Sequence, residues 1–241
     1  MNQYNNDILI RDMNSLGVAL SEKQLEQLMK YYEMLLEWNQ KINLTAITEF
    51  KDVMKKHFVD SVSLIKAYDV SQSVSVIDVG TGAGFPGLVL KIVFPNLNVV
   101  LLDSLNKRIR FLNAVINELE LKNVEAVHGR AEDFARPGKW RENFDLCVSR
   151  AVANFSTLSE YCLPFVKQKG CFIAYKSEKS YDEIKQAEQA ISLLGGKSAK
   201  KVEFMLPDSD IYRVLYVIEK ERRTPERYPR KAGLPGKEPL Y

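Results

Sequence analysis

VIDVGTGAGFPGL, residues 76–88, is an apolar run that ends in an acid and then in closely spaced glycines. A strand covered on both faces reads as such a run, and glycines after it let the backbone turn and approach a ligand. Gly82, Gly84 and Gly87 fit the dinucleotide spacing G-x-G-x-x-G; Asp78, Gly80, Gly82 and Gly84 fit the looser D-x-G-x-G-x-G. Outward from this loop, strand and helix patterns alternate. VSVIDV, NVVLLD, VEAVH, FDLCVS and CFIAYK read as strands, and GLVLKIVF, 107–120, STLSEYCLPFVK and YDEIKQAEQAISLL as helices. VEFML and IYRVLYVIE are close enough to form an antiparallel pair. The pattern predicts an α/β fold: a Rossmann-like, mostly parallel seven-stranded sheet with helices on both faces. Its ligand site belongs at the C-terminal strand ends, near the switch point.

Residues 1–70 read as an N-terminal helical extension. Ser21 with Gln24 forms a capping-box signature, and Leu25, Leu28, Met29, Tyr32, Leu35 and Leu36 recur at helical spacing. A further helix from Asp52 places Met54, Phe58, Val62 and Ile65 on one face. Residues 71–220 read as the Rossmann-like domain. The tail, ERRTPERYPRKAGLPGKEPLY at 221–241, carries six Lys or Arg against three Glu, and four of the nine prolines. It reads as a mobile terminus or as a basic extended arm following an RNA backbone.

The net charge of +3 is too small to establish a nucleic-acid partner. Cys147, Cys162 and Cys171 are widely spaced and odd in number, which suits buried thiols in a reducing compartment. With only His57 and His128, no transition-metal site is expected. The polar N-terminus lacks a signal-peptide core, and no apolar run approaches the roughly 20 residues of a membrane span. The expected location is cytoplasmic.

Asp78 distinguishes the candidate ligands. A carboxylate at this strand end repels a pyrophosphate and suits a ligand with cationic groups, such as the ammonium and sulfonium of S-adenosylmethionine. Asp103, 21 residues beyond Gly82, ends the next strand where an acid accepts ribose hydroxyls. Ala131, Glu132 and Asp133 follow the third strand, within reach of an adenine edge. Acids at three successive strand ends favour S-adenosylmethionine over NAD.

The acceptor is read from what the strand ends hold. The fourth strand ends in SRAV, with no Asn/Asp-Pro-Pro-aromatic run to grip an exocyclic amine, and no cysteine has a nucleophile setting. Arg130, Arg150 and Lys176 are basic strand-end residues, suited to a carboxylate, a phosphate or the guanine O6 acceptor, or else to ion pairs with Asp103, Glu132 or Asp133. Guanine N7 fits, because it has a free lone pair and no proton to remove. A methyltransferase acting on a small molecule and an NAD-dependent oxidoreductase stay open on these residues alone.

The chain resembles the bacterial 16S ribosomal RNA guanine-N7 methyltransferases, the RsmG family, formerly glucose-inhibited division protein B. WNQKINLTAIT, HFVDS, DVGTGAGFPGL, LLDSLNKRIRFL, GRAEDF, VSRAVA and TPERYPRKAGLPGK carry the likeness over nearly the whole chain. The resemblance implies a class I S-adenosylmethionine-dependent methyltransferase fold and guanine N7 in the decoding-region loop of 16S rRNA as acceptor. As partner it implies 16S rRNA, whether naked, in an assembly intermediate or in the small ribosomal subunit; no metal and no membrane partner is expected. It implies cofactor contacts from Gly80, Phe85, Ala131, Glu132 and Arg150. Asp78, Gly82 and Asp103 join them by the reasoning above. Arg130 and Arg213 match basic positions that look important in the family; with Lys176 they are the candidates for positioning guanine or RNA. His57 matches the family and is read as structural.

Overall fold

A computed structural model describes residues 5–138, 140–150, 153–177 and 181–240. The extension begins with α1 (Asp7–Ser15) and α2 (Glu22–Ile42). Ser21 caps α2 as expected: its hydroxyl accepts from the Gln24 amide, and the Gln24 side chain accepts from the Ser21 amide at 2.9 Å. Asn43, in the left-handed region, ends the helix. A continuous helical run over 50–66 follows: α3 (Phe50–Val53), a π-helical turn Met54–Val59, α4 (Asp60–Val62) and a 3-10 turn Ser63–Lys66.

The sheet comprises β1 (Ser75–Val79), β2 (Asn98–Asp103), β3 (Val124–His128), β4 (Phe144–Ser149), β5 (Val166–Lys176), β6 (Lys200–Met205) and β7 (Tyr212–Glu219). Their order is β3-β2-β1-β4-β5-β7-β6. Pairing is parallel from β3 to β5, and β7 is antiparallel to both β5 and β6. The order reverses between β1 and β4, so a crevice opens beyond their C-terminal ends. Covering helices are α5 (Gly87–Val93), α6 (Asn106–Glu118), α7 (Ala131–Phe134), α8 (Phe155–Cys162), α9 (Tyr181–Gln186) and α10 (Glu188–Leu193). A short α11 (Leu234–Lys237) lies in the tail.

Strand side chains alternate between faces and so build two cores. Val76, Val99 and Leu101 join one, while Ile77, Val100 and Leu102 join the other. Leu28, Tyr31 and Phe58 of the extension lie in the first core with Leu88 and Phe111, so the extension and the sheet share one apolar interior.

Two expectations are corrected. STLSEYCLPFVK is not one helix: α8 ends at Cys162, a 3-10 turn spans Leu163–Phe165, and Val166 opens β5. Pro164 supplies no amide to continue an α-helix. The tail is neither free nor extended. Arg230 grips the fully buried Glu160 carboxylate through Nε and Nη2 at 2.7–3.1 Å, and Tyr228 is buried. A buried carboxylate requires such a partner, and that need fixes the chain here.

Candidate functional site

The glycine loop is organised by the acids at two neighbouring strand ends. Asp78 is fully buried at the end of β1. Its Oδ2 accepts from the Gly87 amide at 2.8 Å and from the Thr81 hydroxyl at 2.7 Å. Its Oδ1 has no hydrogen-bond partner among the described residues. Burial pushes the carboxyl up to about 6, against the downward pull of those two bonds and of Arg150. Gly87 permits the approach: a Cβ there would stand 2.8 Å from the Asp78 side chain and 2.6 Å from Leu101. Asp103 does the corresponding work from β2. Its Oδ2 accepts from the Gly82 amide at 2.9 Å and from Arg108 at 3.1 Å, and its Oδ1 from the Leu105 amide at 2.9 Å.

A cleft of about 380 Å³ opens where these strands end. Gly80, Asp103, Arg130, Ala131 and Glu132 line it, together with Leu105, Leu158, Tyr161 and Gly233. Glu132 is buried and accepts the Gly233 amide at 2.8 Å. Arg130, exposed at the entrance to α7, makes no ion pair among the described residues. Sequence reasoning missed Tyr161 and Gly233. Tyr161 sits in α8, whose apolar pattern hides a cleft-facing position, and Gly233 lies in the tail read as mobile or RNA-bound.

A second constellation lies outside the lining of that cleft. Phe85 stacks on His57 with centroids 4.3 Å apart, and the Arg150 guanidinium lies over the same ring at 5.1 Å. Arg150 donates to Asp60 Oδ2 and to the Lys56 carbonyl, each at 3.0 Å, and approaches His57 Nδ1 at 3.1 Å. Arg213 Nε donates to Asp60 Oδ1 at 2.9 Å. His57 Nδ1 also lies 3.1 Å from the Lys56 carbonyl, and its Nε2 lies 3.0 Å from Thr45 Oγ1, so both ring nitrogens have polar partners. Burial, and then the Arg150 charge, hold His57 down at about 3, so the ring is neutral. The residue bridges the extension and the glycine loop, in keeping with its structural reading.

The sequence-derived site residues therefore divide. Gly80, Asp103, Ala131, Glu132 and Arg130 meet at the cleft; Phe85, Arg150 and Arg213 meet around Asp60, which sequence reasoning missed. Asp78 and Gly82 shape the loop through its amides rather than lining the cleft. The ion-pair partners differ from those expected. Arg150 is held by Asp60, and Lys176 pairs with Glu183 at 3.0 Å while donating to the Ala153 carbonyl at 2.9 Å. Ala151 and Val152 of the VSRAVA motif lie outside the described residues.

Residues 24–212 match the family model described as rRNA small subunit methyltransferase G. The chain belongs to this family. It is 55% identical over 235 residues to ribosomal RNA small subunit methyltransferase G of Lachnoclostridium phytofermentans, covering 98% of this chain and 97% of that protein. Among solved structures, it is similar to a SAM dependent methyltransferase from Aquifex aeolicus, with TM-score 0.52 and 17% identity over 69% of this chain and 92% of that one. It is also similar to M. jannaschii TYW2 in complex with AdoMet, with TM-score 0.55 and 14% identity over 73% and 79% of the two chains. The structural likenesses establish the methyltransferase fold that the family resemblance implied, on the α/β sheet expected from the strand pattern; the sequence relatives establish the methyltransferase G family.

Proposed function

We propose that the protein transfers the methyl group of S-adenosylmethionine to N7 of a guanine in the decoding-region loop of 16S rRNA, leaving S-adenosylhomocysteine. The observation that carries this reading is the meeting, at the switch-point cleft, of Gly80, Ala131 and Glu132 with Asp103. The first three are the positions the family resemblance assigns to the donor. The cleft's volume falls within the range of small-ligand pockets, roughly 300–1,000 Å³. Asp103 offers a carboxylate to ribose hydroxyls, and Ala131 and Glu132 flank the place for the base. When bound, S-adenosylmethionine supplies an electrophilic methyl group on its sulfonium.

The chain's own task is alignment. Guanine N7 needs no deprotonation, so no side chain has to act as general base, and positioning the base in line with the methyl carries the rate. Arg130, exposed at the cleft rim and without an ion pair among the described residues, is assigned to the RNA or to guanine O6. Arg213 and Lys176 are already ion-paired and take part through the groups they hold in place. Phe85 and Arg150 form the wall beside the glycine loop. Acting on the small subunit or an assembly intermediate places the enzyme in the cytoplasm. Among the described residues, no helix is long and apolar enough to cross a membrane, and no cluster of His, Cys, Asp or Glu could hold a metal.

The test offers labelled S-adenosylmethionine with small subunits, assembly intermediates and naked 16S RNA from a strain lacking the modification. Label at guanine N7, located by strand scission at the modified base, is the expected result. Calorimetric binding of NADH without any response to S-adenosylhomocysteine, or absence of label in every RNA state, overturns the proposal.

A further inference from the structure

We propose that the C-terminal segment is a wall of the nucleoside cleft, and that Gly233 is the point through which it sets affinity for the adenosine part of the donor. This rests on the assignment of that cleft to S-adenosylmethionine. Gly233 is the tail residue that lines the cleft, and its amide donates to the buried Glu132 carboxylate at 2.8 Å. The chain is fastened on both sides of it. Upstream, Arg230 is spent on the buried Glu160, and Arg141 donates to the carbonyls of Thr224, Pro225 and Tyr228 at 2.7–3.2 Å. Downstream, the Thr157 hydroxyl donates to the Pro235 carbonyl at 2.9 Å. Between these anchors Gly233 has φ +84°, a conformation that side-chain-bearing residues rarely adopt.

The same contacts weigh against a basic arm on RNA. The Arg230 charge is neutralised inside the protein, the Arg222 guanidinium donates to the Ser192 carbonyl at 3.0 Å, and Arg227 lies over the Tyr228 ring. Half of the tail's six cations are thus engaged by the fold itself.

Two full-length variants separate the readings. Gly233→Val strains the backbone at the cleft and displaces the amide from Glu132. Arg223→Gln/Lys231→Gln/Lys237→Gln removes three exposed tail charges and touches no anchor. Calorimetry with S-adenosylhomocysteine, melting temperature and the salt dependence of 16S RNA binding are measured for each. We expect Gly233→Val to raise the S-adenosylhomocysteine dissociation constant about tenfold or more, with an unchanged RNA salt slope. The triple variant should match wild type in both. If Gly233→Val does not fold, Gly233→Ala serves, with the same direction expected. Wild-type affinity in a folded Gly233 variant overturns the proposal, as does a salt slope reduced by one or more in the triple variant, which makes the tail an RNA arm. Failure of the wild-type protein to bind S-adenosylhomocysteine instead overturns the assignment of the cleft.

Discussion

Acidification should weaken this fold through His57, whose ring is buried beside Arg150. In the folded chain the imidazole is held at about 3, against 6.5 when free, by burial and the Arg150 guanidinium. As pH falls through 6.5, the unfolded chain binds a proton that the folded chain refuses, so stability is lost steadily from about 6.5 down to about 3. From pH 7 to about pH 4.5 the loss is roughly two pH units at 1.36 kcal/mol each, or about 2.5 kcal/mol. Asp78 acts in the opposite sense. Its carboxyl is raised from 3.8 to about 6, so the folded chain takes up a proton first, and the same acidification returns about 2 kcal/mol. The two contributions largely cancel in wild type, and the other carboxylates titrate alike in both proteins, so a comparison isolates the histidine. Urea unfolding of wild type and His57→Gln at the two pH values gives the required difference. The variant should be less stable at pH 7, yet between the two pH values it should gain relative to wild type by about 2.5 kcal/mol. Parallel pH dependence in the two proteins, within about 0.5 kcal/mol, would refute the reasoning, because His57 would then titrate freely in the fold.

Three further outcomes are expected. Asp60→Asn removes the charge shared by Arg150 and Arg213 and should cost about 3–5 kcal/mol. For a chain of this size that is a fall of about 10 °C or more in melting temperature, measured calorimetrically, and donor affinity should fall with it. Gly84→Val should abolish donor binding or folding, read by circular dichroism and S-adenosylhomocysteine titration: a Cβ there would stand 2.7 Å from the Tyr31 hydroxyl and 2.9 Å from Leu88, at φ +100°. Tyr31→Phe leaves the Ala83 carbonyl without its buried donor and should cost about 1–3 kcal/mol in chemical denaturation, with the fold intact.

What could be read from sequence was local. The strands of the sheet's centre are buried on both faces, so their apolar runs and terminal acids are written consecutively, and the cleft residues Gly80, Asp103, Ala131 and Glu132 each end or follow a strand. Asp60 was invisible for the opposite reason. Its partners Arg150 and Arg213 lie 90 and 153 positions away, and it sits in a helical run whose pattern reports only the apolar face. The tail misled through composition. Prolines and cations describe a solvated terminus unless a buried acid elsewhere demands one of those cations, and Glu160, inside an apolar helix, makes that demand. For Lys176 the sequence offered a ligand or a pairing with Asp103, Glu132 or Asp133; its actual counter-charge, Glu183, lies in the segment after the strand rather than at a strand end.

Asp78 gains a second reason to exclude a pyrophosphate. Repulsion by charge would act at any nearby position, but the carboxylate is bonded to the Gly87 amide, which opens α5. Amides at a helix N-terminus are the donors that hold phosphate in dinucleotide sites, because the first turn leaves them without intrahelical acceptors. Here one is already satisfied by Asp78, and the Gly82 amide is likewise taken by Asp103. A pyrophosphate would have to displace two buried carboxylates from the glycine loop and then sit beside their charge. A ligand that needs no phosphate cradle meets the loop with its amides already occupied. The spacing G-x-G-x-x-G is thus shared with dinucleotide folds while its hydrogen-bonding capacity is not, and the acids ending β1 and β2 make the difference.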